Sequence, residues 1–141
     1  MAEAFVIDTN VVSELTRPQP NAAVAAFLRE NSDLLLSVIV FHELEYGVQC
    51  ATEANRRAKL QAYAVSLRAQ FEGRIVDVDV SIAETAGRLR AFEKAKGRAL
   101  KEFDALIAAT AMVKGATLVT RNTRDFAQLD VPLLNPWETS R

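Results

Sequence analysis

Several oxygen-bearing side chains follow apolar segments of this chain, in positions where they could bind a metal ion. Asp8 comes directly after an apolar run, and Glu43 and Asp104 lie near the starts of two predicted helices. Asn122 and Asp125 follow a further apolar run. Oxygen ligands suit Mg²⁺ or Mn²⁺. With a single histidine and a single cysteine, the sequence has no cluster of the ligands that zinc prefers.

A group of carboxylates of this kind is suited to the hydrolysis of phosphodiesters. Carboxylates gathered in one cleft repel one another, and a divalent cation relieves that repulsion. The bound cation polarises a phosphoryl oxygen and lowers the pKa of a bound water, so that hydroxide can attack the phosphorus. The residues alone leave a plainer alternative open, because an acid at a strand end or in the first turn of a helix also stabilises that helix.

Alternating strand and helix patterns must bring these side chains together. Short apolar runs rich in β-formers predict buried strands, and apolar residues at spacings of three and four predict helices. The predicted strands cover 4–7, 34–38, 75–78 and 116–120, with a short edge strand at 131–134. The predicted helices cover 11–16, 22–30, 51–70 and 102–114, with two more beginning near 40 and 82. This alternation predicts a three-layer α/β fold, in which a mainly parallel central sheet is flanked by helices and gathers polar residues at its carboxyl edge.

The composition indicates one globular domain over residues 1–141. Hydrophobic residues make up 50% of the chain and charged residues 25%, as in ordinary globular domains. The single cysteine excludes an intrachain disulfide. The apolar run before Asp8 is too short for a signal peptide or a membrane span. We therefore expect a soluble, cytoplasmic protein that does not bind membranes.

The charges are unevenly distributed along the chain, although the net charge is only -1. Residues 1–50 hold 2 basic and 7 acidic side chains, whereas residues 51–101 hold 11 basic and 6 acidic ones. Such a distribution suits a protein that binds a metal ion at one place and phosphates at another. Arg98 and Lys101, just before the helix of Asp104, are the candidates for contacting RNA phosphate. The alternative is that both are solvated loop charges.

Five short motifs, in order along the chain, resemble one known family. They are VIDTN at 6–10, HELEYG at 42–47 after Ser37, DALIAATA at 104–111, TRNTRDF at 120–126, and the closing NPW at 135–137. Any one of these motifs is weak, but their order and separations together are specific. Over nearly its whole length the chain resembles PIN-domain ribonucleases, and within them the VapC-type toxins of bacterial toxin–antitoxin systems, in the FitB-like branch.

The resemblance implies an activity and a set of site residues. It implies an endoribonuclease toxin that hydrolyses RNA phosphodiester bonds with Mg²⁺ or Mn²⁺. Asp8, Glu43 and Asp104 take the family's first three acidic positions, as metal ligands and catalytic residues, with Asp8 and Asp104 the strongest candidates for direct ligation. The fourth acidic position falls on Asn122, where the family often has Asp. Either Asp125 takes that catalytic role, or Asn122 orients a water or binds through its carbonyl.

Further residues and partners are implied by the same resemblance. Thr9, Asn10 and Thr120, together with Asn122, are expected to fix the carboxylates and the waters around them. The partners are an RNA substrate, a small cognate VapB-like antitoxin and a second copy of the chain in a homodimer. DNA would be contacted only through the antitoxin. The apolar surface around Phe41 and Tyr46, with the helix predicted at 51–70, is a candidate antitoxin docking site.

Three other functions remain open at this level. A haloacid dehalogenase-type phosphohydrolase also begins with a strand and an Asp, but it needs a second Asp where this chain has Asn10. A non-catalytic PIN-like binding module, whose acidic site has decayed, is supported only by Asn122. A flap-type DNA nuclease shares the domain but normally has a much longer chain.

Overall fold

A five-stranded parallel sheet forms the centre of the molecule, in a computed structural model that describes residues 3–138. The strand order is β3-β2-β1-β4-β5, and each neighbouring pair is parallel. The strands are β1 (Phe5–Ile7), β2 (Leu34–Ser37), β3 (Ile75–Val76), β4 (Thr117–Val119) and β5 (Leu133–Leu134). Because β1 is central, its carboxyl end carries Asp8 to the middle of the sheet edge.

Helices cover both faces of this sheet. They are α1 (Thr9–Ser13), α2 (Ala22–Glu30), α3 (Val38–Cys50), α4 (Ala54–Gln70), α5 (Val80–Ala95), α6 (Glu102–Lys114) and α7 (Thr123–Phe126), with a 3-10 turn at Glu14–Thr16. This confirms the predicted three-layer α/β fold. Within the described part of the chain, no helix is both long enough and apolar enough to span a bilayer.

Two hydrophobic cores lie on opposite faces of the sheet, because successive side chains of a strand point to opposite sides. Val6 faces the core formed with α5 and α6, where Ile82 and Ile107 are buried. Phe5 and Ile7 face the other core, formed with α1 to α4. Every residue of β1 is buried, which explains why its sequence is a continuous apolar run rather than an alternating one.

Helix α6 carries Asp104 and is almost wholly buried along its small-residue face. Ala105, Ala108 and Ala109 are fully buried and allow α6 to pack closely beneath the sheet. The helix ends at Gly115, whose φ of 63° is the left-handed conformation that glycine adopts without a steric cost. This packing holds the first turn of α6 at the carboxyl edge.

The predicted elements are all present, and the structure adds the short helix α7, which the sequence analysis does not predict. The other differences concern the ends of the elements. Helix α3 begins at Val38 rather than near 40, because the Ser37 hydroxyl accepts a hydrogen bond of 3.1 Å from the Ile39 amide and caps the helix. Helix α4 begins later than the predicted 51, and β3 is shorter than 75–78. Residues 1–2 and 139–141 of the predicted domain lie outside the described residues.

Candidate active site

Asp8 is a buried carboxylate fixed by hydrogen bonds from three neighbouring residues. It is only 5% exposed. Its oxygens accept bonds from the Thr9 amide at 2.7 Å, from the Thr120 hydroxyl at 2.8 Å and from the Asn10 side chain at 3.4 Å. Burial raises the pKa of Asp8 to about 6, although the bonds from Thr120 and Thr9 lower it. The chain therefore maintains a costly buried acid at the centre of the sheet edge.

Glu43 reaches the same site from α3, the helix that follows β2, and β2 pairs with β1. Its carboxylate accepts a hydrogen bond from the Thr9 hydroxyl. Thr9 thus contacts two acids, since its amide donates to Asp8 and its hydroxyl to Glu43. The negative charge of Glu43 raises the pKa of both Asp8 and Asp104, which indicates that the three acids share one electrostatic environment.

Asp104 lies half-buried in the first turn of α6. Burial raises its pKa, and the charges of Glu43 and Asp125 raise it further, while Lys101 lowers it. Mutual repulsion of this kind is what a bound divalent cation removes. The structure therefore brings together Asp8, Glu43 and Asp104, which lie 35 and 61 positions apart along the chain.

The fourth predicted position contains two candidates with different surroundings. Asn122 is exposed, and its backbone amide donates to the Thr120 hydroxyl at 3.1 Å. Asp125 lies in α7, also exposed, and its charge raises the pKa of Asp104. The structure thus brings Asp125 electrostatically to Asp104, and Asn122 to Thr120.

Three of the predicted supporting residues form a connected network. The fully buried Thr120 hydroxyl lies between Asp8 and the Asn122 amide. Asn10 donates toward both Asp8 and Thr120, and its carbonyl accepts a bond of 3.2 Å from the Arg121 amide. These hydrogen bonds connect the carboxyl ends of β1 and β4 through the Asp8 carboxylate.

The two predicted phosphate contacts lie beside Asp104 but differ in their bonding. Arg98 and Lys101 line a pocket of about 370 Å³ with Asp104 and Asp125. The Arg98 guanidinium donates two hydrogen bonds, of 2.8 and 3.0 Å, to Glu93, a glutamate that is only 4% exposed. These bonds lower the pKa of Glu93. The Arg98 side chain is thus held in place by Glu93 although it lies at the surface.

Sequence reasoning missed Glu93 and Arg124. Glu93 follows the buried residues Ile82 and Ala86 at helical spacing, and this inward-facing register was the signal that could have identified it. Arg124 lines the Asp104 pocket beside Asp125. Its basic side chain, between Asn122 and Asp125 in the sequence, was the signal that could have identified it.

The carboxylates of the site suit Mg²⁺ and Mn²⁺ as ligands. Asp8 and Asp104 supply hard carboxylate oxygens, and burial leaves both with raised pKa values that a cation would lower again. Among residues 3–138, no three acidic, histidine or cysteine side chains converge closely enough to enclose an ion by themselves. Mg²⁺ does not need such an enclosure, since it usually retains several waters and is held by one or two carboxylates.

The fold and this acidic cluster define a small α/β domain of one particular class. The chain belongs to the PIN domain family, whose model matches residues 5–132. This assignment confirms the resemblance and removes the haloacid dehalogenase-type alternative.

Named relatives match the chain almost end to end. It is 36% identical to "Toxin FitB" of Neisseria gonorrhoeae over 94% of this chain and 98% of that protein. It is 32% identical to "VapC ribonuclease Y4jK" of Sinorhizobium fredii over 95% of this chain and 98% of that protein. A solved structure of "FitAB bound to IR36 DNA fragment" matches with a TM-score of 0.87 and 34% identity, covering 97% of this chain and 98% of that chain.

Proposed function

We propose that this protein is the toxin of a type II toxin–antitoxin system, and that it cuts RNA internally with Mg²⁺ or Mn²⁺. The single observation that carries the proposal is the meeting of Asp8, Glu43 and Asp104 at one sheet edge, where each of the two aspartates has a raised pKa. The proposal is supported by relatives that are named as a toxin and a ribonuclease.

The acidic residues divide the proposed reaction between metal binding and the orientation of water. Asp8 and Asp104 would hold the ion, with Glu43 completing the cluster from α3. When bound, the ion would polarise the phosphoryl group and lower the pKa of the attacking water. The Thr9 and Thr120 hydroxyls keep the carboxylates in position, which limits the reorganisation needed when RNA arrives. We assign Asp125 the orientation of a water, and Asn122 a supporting position next to Thr120.

The cationic side of the pocket would bind the RNA. Lys101 and Arg124 are exposed and line the same pocket as Asp104. Arg98 is held by Glu93, so it presents a fixed positive charge with little conformational entropy to lose. Charges of this kind position the phosphate and carry little sequence information.

A cognate VapB-like antitoxin is the proposed partner, with DNA contacted only through it. Helices α3 and α4, with the β3 segment, border a groove of about 470 Å³ whose lining includes apolar residues such as Phe41 and Val65. Tyr46 on α3 is 67% exposed, as expected for a residue that a partner covers. A FitAB structure with DNA supports such an assembly. The homodimer stays a prediction of the family resemblance, and the cytoplasmic location stays a prediction of the sequence.

The test is cleavage of a labelled, structured RNA pool by protein freed of antitoxin. Reactions contain Mn²⁺, Mg²⁺ or a chelator, with wild type and the Asp104→Asn variant side by side. We expect wild type to cut only with metal, and Asp104→Asn to cut with neither metal. The cut sites then begin to define the substrate.

A control variant separates chemistry from folding. Asp130→Asn changes an exposed acid that does not line the Asp104 pocket, and it should cut like wild type. Circular dichroism of all three proteins should show the same fold. If folded wild type cuts no RNA with either metal, the nuclease proposal is wrong and the decayed binding module replaces it.

A further inference from the structure

A second cavity adjoins the Asp104 pocket and has a distinct charge. This basic groove, of about 690 Å³, is lined by Gly87, Arg90, Ala91, Lys94, Gly97, Arg98, Ala99 and Leu100. It lies between one face of α5 and the loop that leads into α6. Among the described residues that line it, three are basic and none is acidic. The groove is therefore suited to a polyanion.

The groove is continuous with the proposed reaction centre. Arg98, Ala99 and Leu100 line both the basic groove and the Asp104 pocket. A chain bound along the groove therefore contacts Arg98, which also lines the pocket of Asp104 and Asp125. Continuity of this kind is what a polymeric substrate needs, because only one of its phosphates is cut while its neighbours must lie elsewhere on the protein.

Two of the three cations connect α5 to the loop that leads into α6. The Arg98 guanidinium is bonded to buried Glu93, as described above. The Arg90 side chain donates to the Leu100 carbonyl at 3.3 Å and lies 3.7 Å from the Glu102 carboxylate. Lys94, one turn beyond Arg90 on the same face of α5, is exposed. Arg98 lines both cavities, whereas Arg90 and Lys94 line the basic groove but not the Asp104 pocket.

Four of the eight residues that line the groove are glycine or alanine. Gly87 and Ala91 follow one another at helical spacing on α5, and Gly97 and Ala99 belong to the loop. Gly97 has a φ of 78°, so the turn itself favours glycine. Because these four residues carry little or no side chain, a sugar–phosphate backbone can approach the protein closely there.

The groove between α3 and α4 does not offer the same surface. Its lining combines Glu45 and Asp77 with Arg68 and several apolar side chains. A polyanion gains little from such mixed charge, whereas an amphipathic helix can use it. The charge pattern therefore assigns the two grooves to different kinds of occupant.

We propose that the RNA backbone on one side of the scissile phosphate lies in the basic groove and is bound there by Arg90, Lys94 and Arg98. This inference rests on the proposed function for the identity of the polyanion. It predicts that the protein binds several nucleotides beyond the cut, and that Lys94 contributes only when the RNA is long enough to reach it. RNA and antitoxin would then occupy separate grooves.

The test measures RNA binding without cleavage. All proteins carry Asp104→Asn and are compared with and without Lys94→Glu, using two synthetic RNAs that share one cut site and have about 4 and about 20 nucleotides. A charge-matched control is Arg88→Glu, on the same helix but outside the groove lining. Dissociation constants are measured from 50 to 200 mM salt, and light scattering reports the oligomeric state.

We expect Lys94→Glu to weaken binding of the long RNA by roughly fivefold or more, and to lower its salt slope by about 1. The short RNA should be affected much less, and Arg88→Glu should weaken neither RNA to a comparable extent. The groove proposal is wrong if Lys94→Glu weakens binding of both RNAs equally or has no effect on binding. It is also wrong if Arg88→Glu weakens binding as much as Lys94→Glu, or if Lys94→Glu changes the oligomeric state. Cleavage by wild type is measured separately. If wild type cuts RNA but Lys94→Glu does not weaken RNA binding, only the groove proposal is wrong. If RNA binding depends on Lys94 but wild type cuts nothing, only the nuclease proposal is wrong.

Discussion

Asp8 and Asp125 lie at the same edge of the sheet but are held in opposite ways. Asp8 is buried and accepts hydrogen bonds from Thr9, Thr120 and Asn10. Asp125 is exposed on the short helix α7. Glu43, bonded to Thr9, belongs with Asp8, and Asp104 lies between the two halves because both Glu43 and Asp125 raise its pKa. The site therefore has a fixed half and an open half.

The difference indicates a division of work. A carboxylate whose oxygens are already oriented loses little entropy when it binds an ion, so the fixed half suits permanent ligands. The open half lies beside Lys101 and Arg124 and faces the cavity that RNA would enter. Its side chains can adjust to the substrate. Changes in the fixed half should therefore affect metal binding, and changes in the open half should affect the use of RNA.

The largest effect should come from removing one charge in each half. We expect Asp8→Asn to lower the rate of RNA cleavage by roughly 10³-fold or more, as for the loss of a principal catalytic group, and Asp125→Asn to lower it by about tenfold. Both are measured with the same RNA at saturating Mn²⁺. Equal losses of cleavage rate in the two variants would mean that Asp125 belongs to the fixed half.

Next in size is the effect of pH on stability without metal. The folded pKa of Asp8, about 6, is higher than its ordinary value of 3.8, so folding favours the protonated form. Asp8 therefore destabilises the metal-free protein as the pH rises from about 4 to about 6, by about 3 kcal/mol at most. The free energy of unfolding of Asp8→Asn, measured in urea, should exceed that of wild type by an amount that grows over this range.

Two observations check that assignment. Mn²⁺ at pH 7 should stabilise wild type much more than Asp8→Asn, because the ion binds only to the folded site. The unfolding free energies should also converge near pH 4, apart from a constant difference due to the amide. A difference that stays constant from pH 4 to pH 7 would show that Asp8 is already ionised throughout, and that burial does not raise its pKa.

Much of the fixed half could be predicted from the sequence. Asp8, Thr9 and Asn10 follow a strand directly, and Thr120 follows another, so parallel pairing alone brings their ends together. The amino-acid sequence does not show which individual side-chain atoms are buried or what they contact. It therefore could not reveal that Thr120 lies between Asp8 and Asn122, a relation that depends on the register of β1 against β4.

The open half and the groove could be predicted less well. Arg98 was identified as a candidate phosphate contact, but its pairing with Glu93 depends on the turn at Gly97, which folds the loop back onto α5. The strand order β3-β2-β1-β4-β5 likewise depends on which helices cover which face, and this involves packing between residues that are distant in sequence. Local patterns specify elements well and specify long-range pairing poorly.

A smaller effect should follow from removing one hydrogen bond within the fixed half. Thr120→Val keeps the shape of a fully buried side chain but removes the donor to Asp8. We expect Mn²⁺ affinity, measured by calorimetry, to fall by about tenfold. The matched control is Thr117→Val, a buried threonine at the other end of β4 whose hydroxyl bonds to Glu3. If Thr117→Val weakens Mn²⁺ equally, the loss comes from the strand rather than from the bond to Asp8.

The smallest effect should come from adding a charge to the open half. Asn122→Asp places a carboxylate at the position where the family often has one, on a side chain that is exposed. An exposed charge adds about 0.5–1 kcal/mol, so Mn²⁺ affinity should rise about two- to fivefold. The cleavage rate at saturating Mn²⁺ should change less than twofold, because Asp125 already serves this half. A rise of 100-fold or more in either quantity would show that the fourth acid belongs with Asp8, and that natural Asn122 leaves the fixed half incomplete.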